Sequence, residues 1–126
     1  MPAMFFADKQ AAITSIAYLY GEAARTSQLG QECLAALEEN SGFDRIRFVN
    51  LEGESFASDG KIADVADRDY FTRGVQGESG AAVIMQSHFD GTKLIGFYAP
   101  VRMNGEICGV MIGFLEEETV SDILET

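Results

Sequence analysis

The sequence predicts an α+β fold in which five strands form an antiparallel sheet, with helices on one face and a crossover with a short helix on the other. Two segments with the helical period of 3.6 residues open the chain. Strand-like segments then follow from Arg45 to Leu115, separated by turn dipeptides. One connection, between the second and third strands, is much too long for a hairpin turn. It therefore has to cross the sheet.

Length, composition and charge narrow the class of protein. The chain has 126 residues, 47% of them apolar, which suits one domain with a buried core. The net charge of −11 argues against nucleic acid and anionic lipid as partners, because both favour lysine and arginine. No apolar run approaches the roughly 18 residues that span a bilayer, and the N-terminus has no signal-peptide pattern.

We expect one domain over residues 1–126. The N-terminal helices would occupy about residues 4–40, the sheet and pocket about 43–116, and an exit segment about 117–126. Both ends of the sequence have helical character, which is typical of a module cut from a longer protein.

The opening helices are predicted from their apolar faces. Apolar residues recur on one face from Phe5 to about Arg25. Thr26 and Ser27 are typical N-cap residues for a second helix, and Gly42 ends it.

Five later segments have strand character. Asp90-Gly91 and Asn104-Gly105 are hairpin-turn signals that separate the last three strands. The fifth strand is apolar on both faces, which predicts a central position with both faces covered. Glu116 then opens a closing segment whose charges suit a helix N-terminus. The five strands are predicted at residues 45–50, 55–57, 81–87, 93–102 and 106–115.

The segment 66–77 carries an unusual cluster of cations and aromatic rings for so acidic a chain. Arg68 and Arg73 offer planar charged groups suited to a carboxylate or phosphate. Tyr70 and Phe71 supply apolar walls and one hydroxyl. An alternative interpretation is that the two rings fill the core while the arginines pair with neighbouring aspartates, as surface ion pairs commonly do.

No other group of residues predicts catalysis. Cys33 and Cys108 are interpreted as two buried thiols, although their pairing stays open. His88 lies beside a turn, and no nucleophile is plausibly aimed at it. The paired carboxylates at helix ends, such as Glu38-Glu39, are interpreted as solvated charge. The sequence thus predicts no enzyme, no metal and no cofactor.

Four pieces of the sequence resemble Cache domains. Asp67-Arg68-Asp69-Tyr70-Phe71, followed by Gly77, is similar to the Arg-aromatic-aromatic segment of that family. Residues 43–50 resemble its first hairpin, and residues 98–101 and 109–113 resemble its last two strands. Cache domains are PAS-like extracytoplasmic sensor modules of bacterial chemoreceptors, histidine kinases and diguanylate cyclases.

The resemblance implies a small-molecule ligand between the crossover and the sheet, and a parent protein anchored in the membrane at both ends of this fragment. Arg68, Tyr70 and Phe71 match the motif of relatives that bind amino acids, but Ala63 stands where that motif has tyrosine. This difference favours a plain carboxylate or other small anion. The predicted ligand-binding residues are Arg68, Tyr70, Phe71, Arg73, Gln86 and Tyr98.

A second class of function stays open. The same layout of helices and strands suits a cytoplasmic interaction module, either PAS-type or roadblock-like, that dimerises and binds no ligand. Whether the sensor domain itself forms a homodimer also stays open. The ligand and the output domain of the parent protein are not encoded in any motif of the sequence.

Overall fold

Two helices open the chain, as their periodicity predicts. The computed structural model describes residues 2–24, 27–84 and 94–116. Helix α1 spans Pro2–Ala24 and helix α2 spans Ser27–Asn40. Gly42 follows α2 with a φ of 82°, a left-handed conformation that glycine adopts without steric cost. No helix in the described part of the chain is both long and apolar enough to span a bilayer.

The strands form one antiparallel sheet of six strands in the order β3-β2-β1-β6-β5-β4. The apolar β6 lies between β1 and β5, which confirms its predicted central position. The bounds are β1 Arg45–Val49, β2 Glu54–Phe56, β3 Ile62–Asp64, β4 Gly80–Ile84, β5 Leu94–Met103 and β6 Glu106–Glu116.

The α+β class is confirmed, but the predicted count of five strands is corrected to six. The additional strand, β3, pairs with β2 through the register Ser55↔Ala63. Gly60, with a φ of 89°, turns the chain between them, and the amide of Ala57 donates to the carbonyl of Lys61 at 2.9 Å. Three residues are too few to show the alternation that predicts a strand, so the sequence pattern missed β3.

The two faces of the sheet are covered by different elements, as predicted. On β6, Met111 and Leu115 pack into a cluster with α1 and α2, which we call the helix-side cluster. Ile112 and Phe114 point to the opposite face and pack with residues of the crossover, in a second group that we call the crossover-side cluster. Both faces of β6 are therefore buried.

The crossover between β3 and β4 contains a short helix, α3 (Asp69–Gly74). At the β5–β6 turn, Asn104 and Gly105 have φ values of 55° and 82°, as a tight hairpin turn of the predicted kind requires. The predicted turn at Asp90-Gly91 and the closing segment after Glu116 lie outside the described residues.

Both cysteines lie beside the helix-side cluster. Cys33 on α2 and Cys108 on β6 are half-buried and keep their thiols. Burial raises the pKa of the Cys33 thiol. The interpretation of two apolar-packed thiols therefore holds, with burial that is only partial.

Candidate functional site

Backbone hydrogen bonds fix the position at which α3 begins. The amide of Val65 donates to the carbonyl of Gly53 at 2.8 Å, which ties the start of the crossover to the β1–β2 turn. The Arg68 amide donates to Val65, and the Arg68 carbonyl accepts from Thr72. Arg68 is the N-cap residue of α3, with an extended φ and ψ of −85° and 140°. Regular structure therefore positions Arg68 at the beginning of the helix.

Helix α3 packs directly on β6. A Cβ atom at Gly74 would lie 2.5 Å from a methyl carbon of Val110, so only glycine permits this approach. At the other end of α3, the Tyr70 ring meets the Phe114 ring edge-on, with centroids 6.2 Å apart and an interplanar angle of 84°. Helix α3 therefore runs along β6 in the opposite direction, with Tyr70 above the end at which β6 finishes.

Tyr70 is the most deeply buried of the predicted binding residues on α3, with only 3% of its surface exposed. Burial raises the pKa of its phenol well above the ordinary value, because an ionised phenolate would lose its hydration. Arg68 and Arg47 lower this pKa and Asp67 raises it, so all three charges act on the ring. The phenol is neutral at physiological pH and keeps a proton to donate.

Arg47, on β1, is a buried cation. It follows Ile46 and precedes Phe48, which both belong to the helix-side cluster, so it starts from the crossover face of β1. Its guanidinium Nη1 lies 2.9 Å from Oε2 of Glu38, and only 8% of the residue is exposed. Burial lowers the pKa of Arg47, while the Glu38 carboxylate raises it.

Glu38 joins three parts of the chain. Its Oε2 accepts from the amide of Ile46 at 2.8 Å and from Arg47, and its Oε1 accepts from the hydroxyl of Ser58 at 2.6 Å. The β1–β2 pairing stops at Phe48↔Phe56, so Glu38 occupies the place where the next strand pair would lie. The interpretation of Glu38 as solvated charge is wrong, because contacts distant in sequence from its helix end partly bury the carboxylate.

Tyr70 and Tyr98 belong to the same cluster, and Phe71 packs against it. Tyr98, on β5, is 3% exposed. Arg68 is half-buried at the start of α3, whereas Arg73 is exposed in its last turn. Packing of the two crossover rings into an apolar cluster agrees with the core interpretation, and their role in ligand binding stays a prediction.

Gln86 and His88 lie outside the described residues. Both belong to the connection between β4 and β5, whose flanking residues Ile84 and Leu94 face each other in the sheet. Leu94 also faces Glu116, so these two flanking residues lie at the end of the sheet where β6 finishes. That is the end nearest Tyr70.

The end of β6 is tied to the start of β1. The amide of Glu116 donates to Oδ2 of Asp44 at 2.8 Å, and the amide of Asp44 donates to the carbonyl of Phe114 at 2.9 Å. Arg45 adds an ion pair with Glu116 at 3.4 Å. Phe114, which meets Tyr70, is thus two residues away from the last residue of the strand.

Comparison by sequence gives no assignment, because no family model and no curated protein matches this chain. Comparison by structure finds solved proteins with a similar fold. The ligand-binding domain of the Campylobacter jejuni chemoreceptor Tlp3, solved with L-valine, matches with a TM-score of 0.71 and 13% identity. That match covers 98% of this chain and 55% of the solved one.

Two further solved structures have the same fold. The ligand-binding domain of the Pseudomonas aeruginosa amino acid chemoreceptor PctC, in complex with GABA, matches with a TM-score of 0.70 and 16% identity, over 91% of this chain and 57% of that one. The extracellular domain of rpHK1S-Z16, classed as a histidine kinase, matches with a TM-score of 0.76 and 19% identity, over 95% and 53%.

The chain therefore has the fold of bacterial sensory domains, and it spans about half the length of the solved chains that it matches. This likeness confirms, at the level of the fold, the PAS-like sensor architecture that the resemblance to Cache domains implies. At these identities the likeness establishes the fold alone.

Proposed function

We propose that this chain is the small-molecule sensing domain of a bacterial transmembrane signalling protein and lies on the extracytoplasmic side of the membrane. The observation that carries the proposal is the fold match, which extends over nearly the whole chain to ligand-binding domains of chemoreceptors and to an extracellular domain. The crossover supports it, because it places Arg68 and Tyr70 at one end of the face opposite the long helices.

The ligand we propose is a small carboxylate held between the crossover and the sheet, at the end of α3 that carries Arg68. Arg68 would pair with the carboxylate through its planar fork, and Tyr70 would donate its retained phenolic proton. Arg68 lowers the pKa of Tyr70, which supports a guanidinium close to this phenol. L-Valine and GABA, the ligands of two solved structures of this fold, have a carboxylate in common.

Ala63 supports a simple carboxylate over an amino acid. It lies on β3, where the amino-acid motif of the resembling family has a tyrosine. A ligand panel that pairs each amino acid with its deaminated counterpart therefore separates the two classes.

Signalling would follow the contact between Tyr70 and Phe114. A ligand that favours one position of α3 would act through Phe114 on the end of β6, two residues further on, where Asp44 and Arg45 hold Glu116. A ligand shifts such an equilibrium only by its difference in affinity for the two states. A tenfold preference corresponds to about 1.4 kcal/mol.

A thermal-shift screen followed by calorimetry tests the proposal. The panel contains acetate, propionate, isovalerate, butyrate, succinate, L-valine and GABA. A ligand at about 100 times its Kd stabilises the fold by about 2.7 kcal/mol, and a domain of this size gains about 4 °C in Tm for each kcal/mol. We expect the carboxylates to raise the Tm more than the amino acids do.

Variants of Arg68 locate the binding. Arg68→Ala should abolish binding at the crossover without unfolding the domain, because the backbone bonds that start α3 do not involve the side chain. Arg68→Lys should weaken binding, since an ammonium cannot replace the bidentate fork. Lys61→Ala removes an exposed cation elsewhere and should leave the affinity unchanged.

Three results would contradict parts of the proposal. Equal affinity of the wild type and Arg68→Ala would remove Arg68 from the site. A response to L-valine and GABA without one to the plain carboxylates would overturn the ligand class. If no member of the panel raised the Tm, the alternative function of a cytoplasmic interaction module would be favoured.

A further inference from the structure

A groove lies at the end of the sheet opposite Tyr70. Its volume is about 570 Å³, within the range of small-molecule sites. It runs between the middle of α1 and the part of β5 that leads into the β5–β6 turn, and we call it the α1–β5 groove. The residues that matter to its chemistry are Thr14, Tyr18, Ser79, Pro100, Arg102 and Asn104.

The α1–β5 groove exists because β4 is shorter than β5. Strand β4 pairs with β5 only from Leu94 to Tyr98, so in the described part of the chain no strand covers that edge of residues 99–103. Pro100 lies on the uncovered stretch and has no N–H, and the register shifts between Val101 and Arg102. Both features are typical of edges that do not accept another strand. The groove is therefore better suited to a small molecule.

The lining of the groove differs in charge from the rest of the chain. The chain has 20 acidic and 9 basic residues, yet no described carboxylate lines the groove and Arg102 does. No ion pair or hydrogen bond joins the Arg102 side chain to another described residue. The other polar groups of the lining are hydroxyls and one amide, from Thr14, Tyr18, Ser79 and Asn104.

The guanidinium of Arg102, which is an exposed residue, lies close to Gly77. A Cβ atom on Gly77 would lie 3.1 Å from an Nη atom of Arg102, so the guanidinium rests on the backbone of a residue without a side chain. Gly77 has a φ of 94°, a conformation that other residues adopt only with strain. The guanidinium therefore has a defined neighbour on one side and open groove on the other.

We propose that the α1–β5 groove is a second binding site, for monocarboxylates with a short apolar tail, and that Arg102 anchors the carboxylate. The guanidinium fork matches a carboxylate, while Ala99, Pro100 and the ring of Tyr18 offer apolar contact to the tail. A net charge of −11 repels a dianion more strongly than a monoanion, which favours carboxylate over phosphate. This site shares no residue with the one proposed around Arg68, so each can fail without the other.

An amide NMR titration of the full chain with sodium butyrate, at constant ionic strength, tests this site. We expect saturable shifts at the amides of Gly77, Ser79, Asn104 and Gly105. Arg102→Gln should weaken the affinity read from these amides by at least about tenfold, the effect of one charge-assisted hydrogen bond. Arg68→Ala should leave them responsive, which separates this groove from the proposed sensing site.

Butyramide and sodium chloride are the matched ligand controls, and Lys61→Gln is the matched variant, since Lys61 is an exposed cation away from the groove. Butyramide and sodium chloride should give no saturable shifts at the four amides. Lys61→Gln should bind butyrate with the affinity of the wild type. Absence of saturable shifts at the four amides would overturn the proposal. So would equal shifts with butyramide, or an unchanged butyrate affinity in an Arg102→Gln protein whose Tm equals that of the wild type.

Discussion

The two faces of the sheet bury clusters of different composition. The helix-side cluster, under two long helices, consists of aliphatic and phenylalanine side chains such as Ile13, Phe97 and Met111. The crossover-side cluster lies under a helix of six residues and contains Tyr70 and Tyr98. Burying a hydroxyl costs free energy unless it finds a partner. The buried tyrosine hydroxyls lie on the face with the smaller cover, and we expect the helix-side cluster to contribute more of the stability.

Adjacent residues of β5 give the largest expected difference between the faces. Phe97 is fully buried on the helix side, and Phe97→Ala should lower the free energy of unfolding by about 3 to 5 kcal/mol. Tyr98→Phe, on the crossover side, keeps the volume and should change it by less than about 1.5 kcal/mol. Urea denaturation of both variants measures the difference. Similar losses in the two variants would mean that the Tyr98 hydroxyl contributes as much to stability as the whole Phe97 ring.

The ion pair of Glu38 and Arg47 connects the two faces, and its removal should have an intermediate effect. Glu38→Ala leaves a buried guanidinium without its carboxylate and should lower the free energy of unfolding by about 2 to 3 kcal/mol.

Arg47→Met supplies the second arm of a double-mutant cycle. In the Arg47→Met background, Glu38→Ala should be less destabilising, because the buried charge is gone. An equal loss in both backgrounds, measured by urea denaturation, would show that Glu38 acts through Ile46 and Ser58 alone.

The smallest expected effect appears at alkaline pH and belongs to the crossover side. The raised pKa of Tyr70 means that the unfolded chain releases the phenolic proton near pH 10 while the folded chain still holds it. Below pH 10 the Tyr70 phenol does not make the free energy of unfolding depend on pH. Above pH 10 the free energy of unfolding should decline by about 1.4 kcal/mol for each pH unit, until the folded phenol also ionises.

Tyr70→Phe is the control for this alkaline effect, because it keeps the ring and removes the proton. The slope of unfolding free energy against pH between 10 and 11 should be shallower in the variant than in the wild type. Equal slopes would show that Tyr70 is not the group responsible.

The sequence predicts most of the architecture because its signals are local. The dipeptide Asn104-Gly105 by itself favours a tight hairpin turn, and the apolar run of β6 requires cover on both faces. By contrast, β3 depends on pairing with β2 across the sheet, which a three-residue pattern does not report.

The regions that carry the proposed sites were predictable only in part, for a similar reason. The cluster of Arg68 and Tyr70 is contiguous in sequence and can be recognised there. The buried pair of Glu38 and Arg47 depends on where β2 stops, and the α1–β5 groove depends on how far β4 extends along β5. Both are consequences of strand length and register, which no single segment encodes.

The close contact between Gly74 and Val110 fixes the last turn of α3 to the sheet. The contact leaves no room for a side chain at position 74, so we expect any tilt of α3 to pivot about this turn. Tyr70 lies four residues away, about 6 Å along the helix, so a tilt of about 10° displaces it by about 1 Å, while Gly74 hardly moves. The displacement is therefore greatest at the end of α3 that carries Arg68 and meets Phe114.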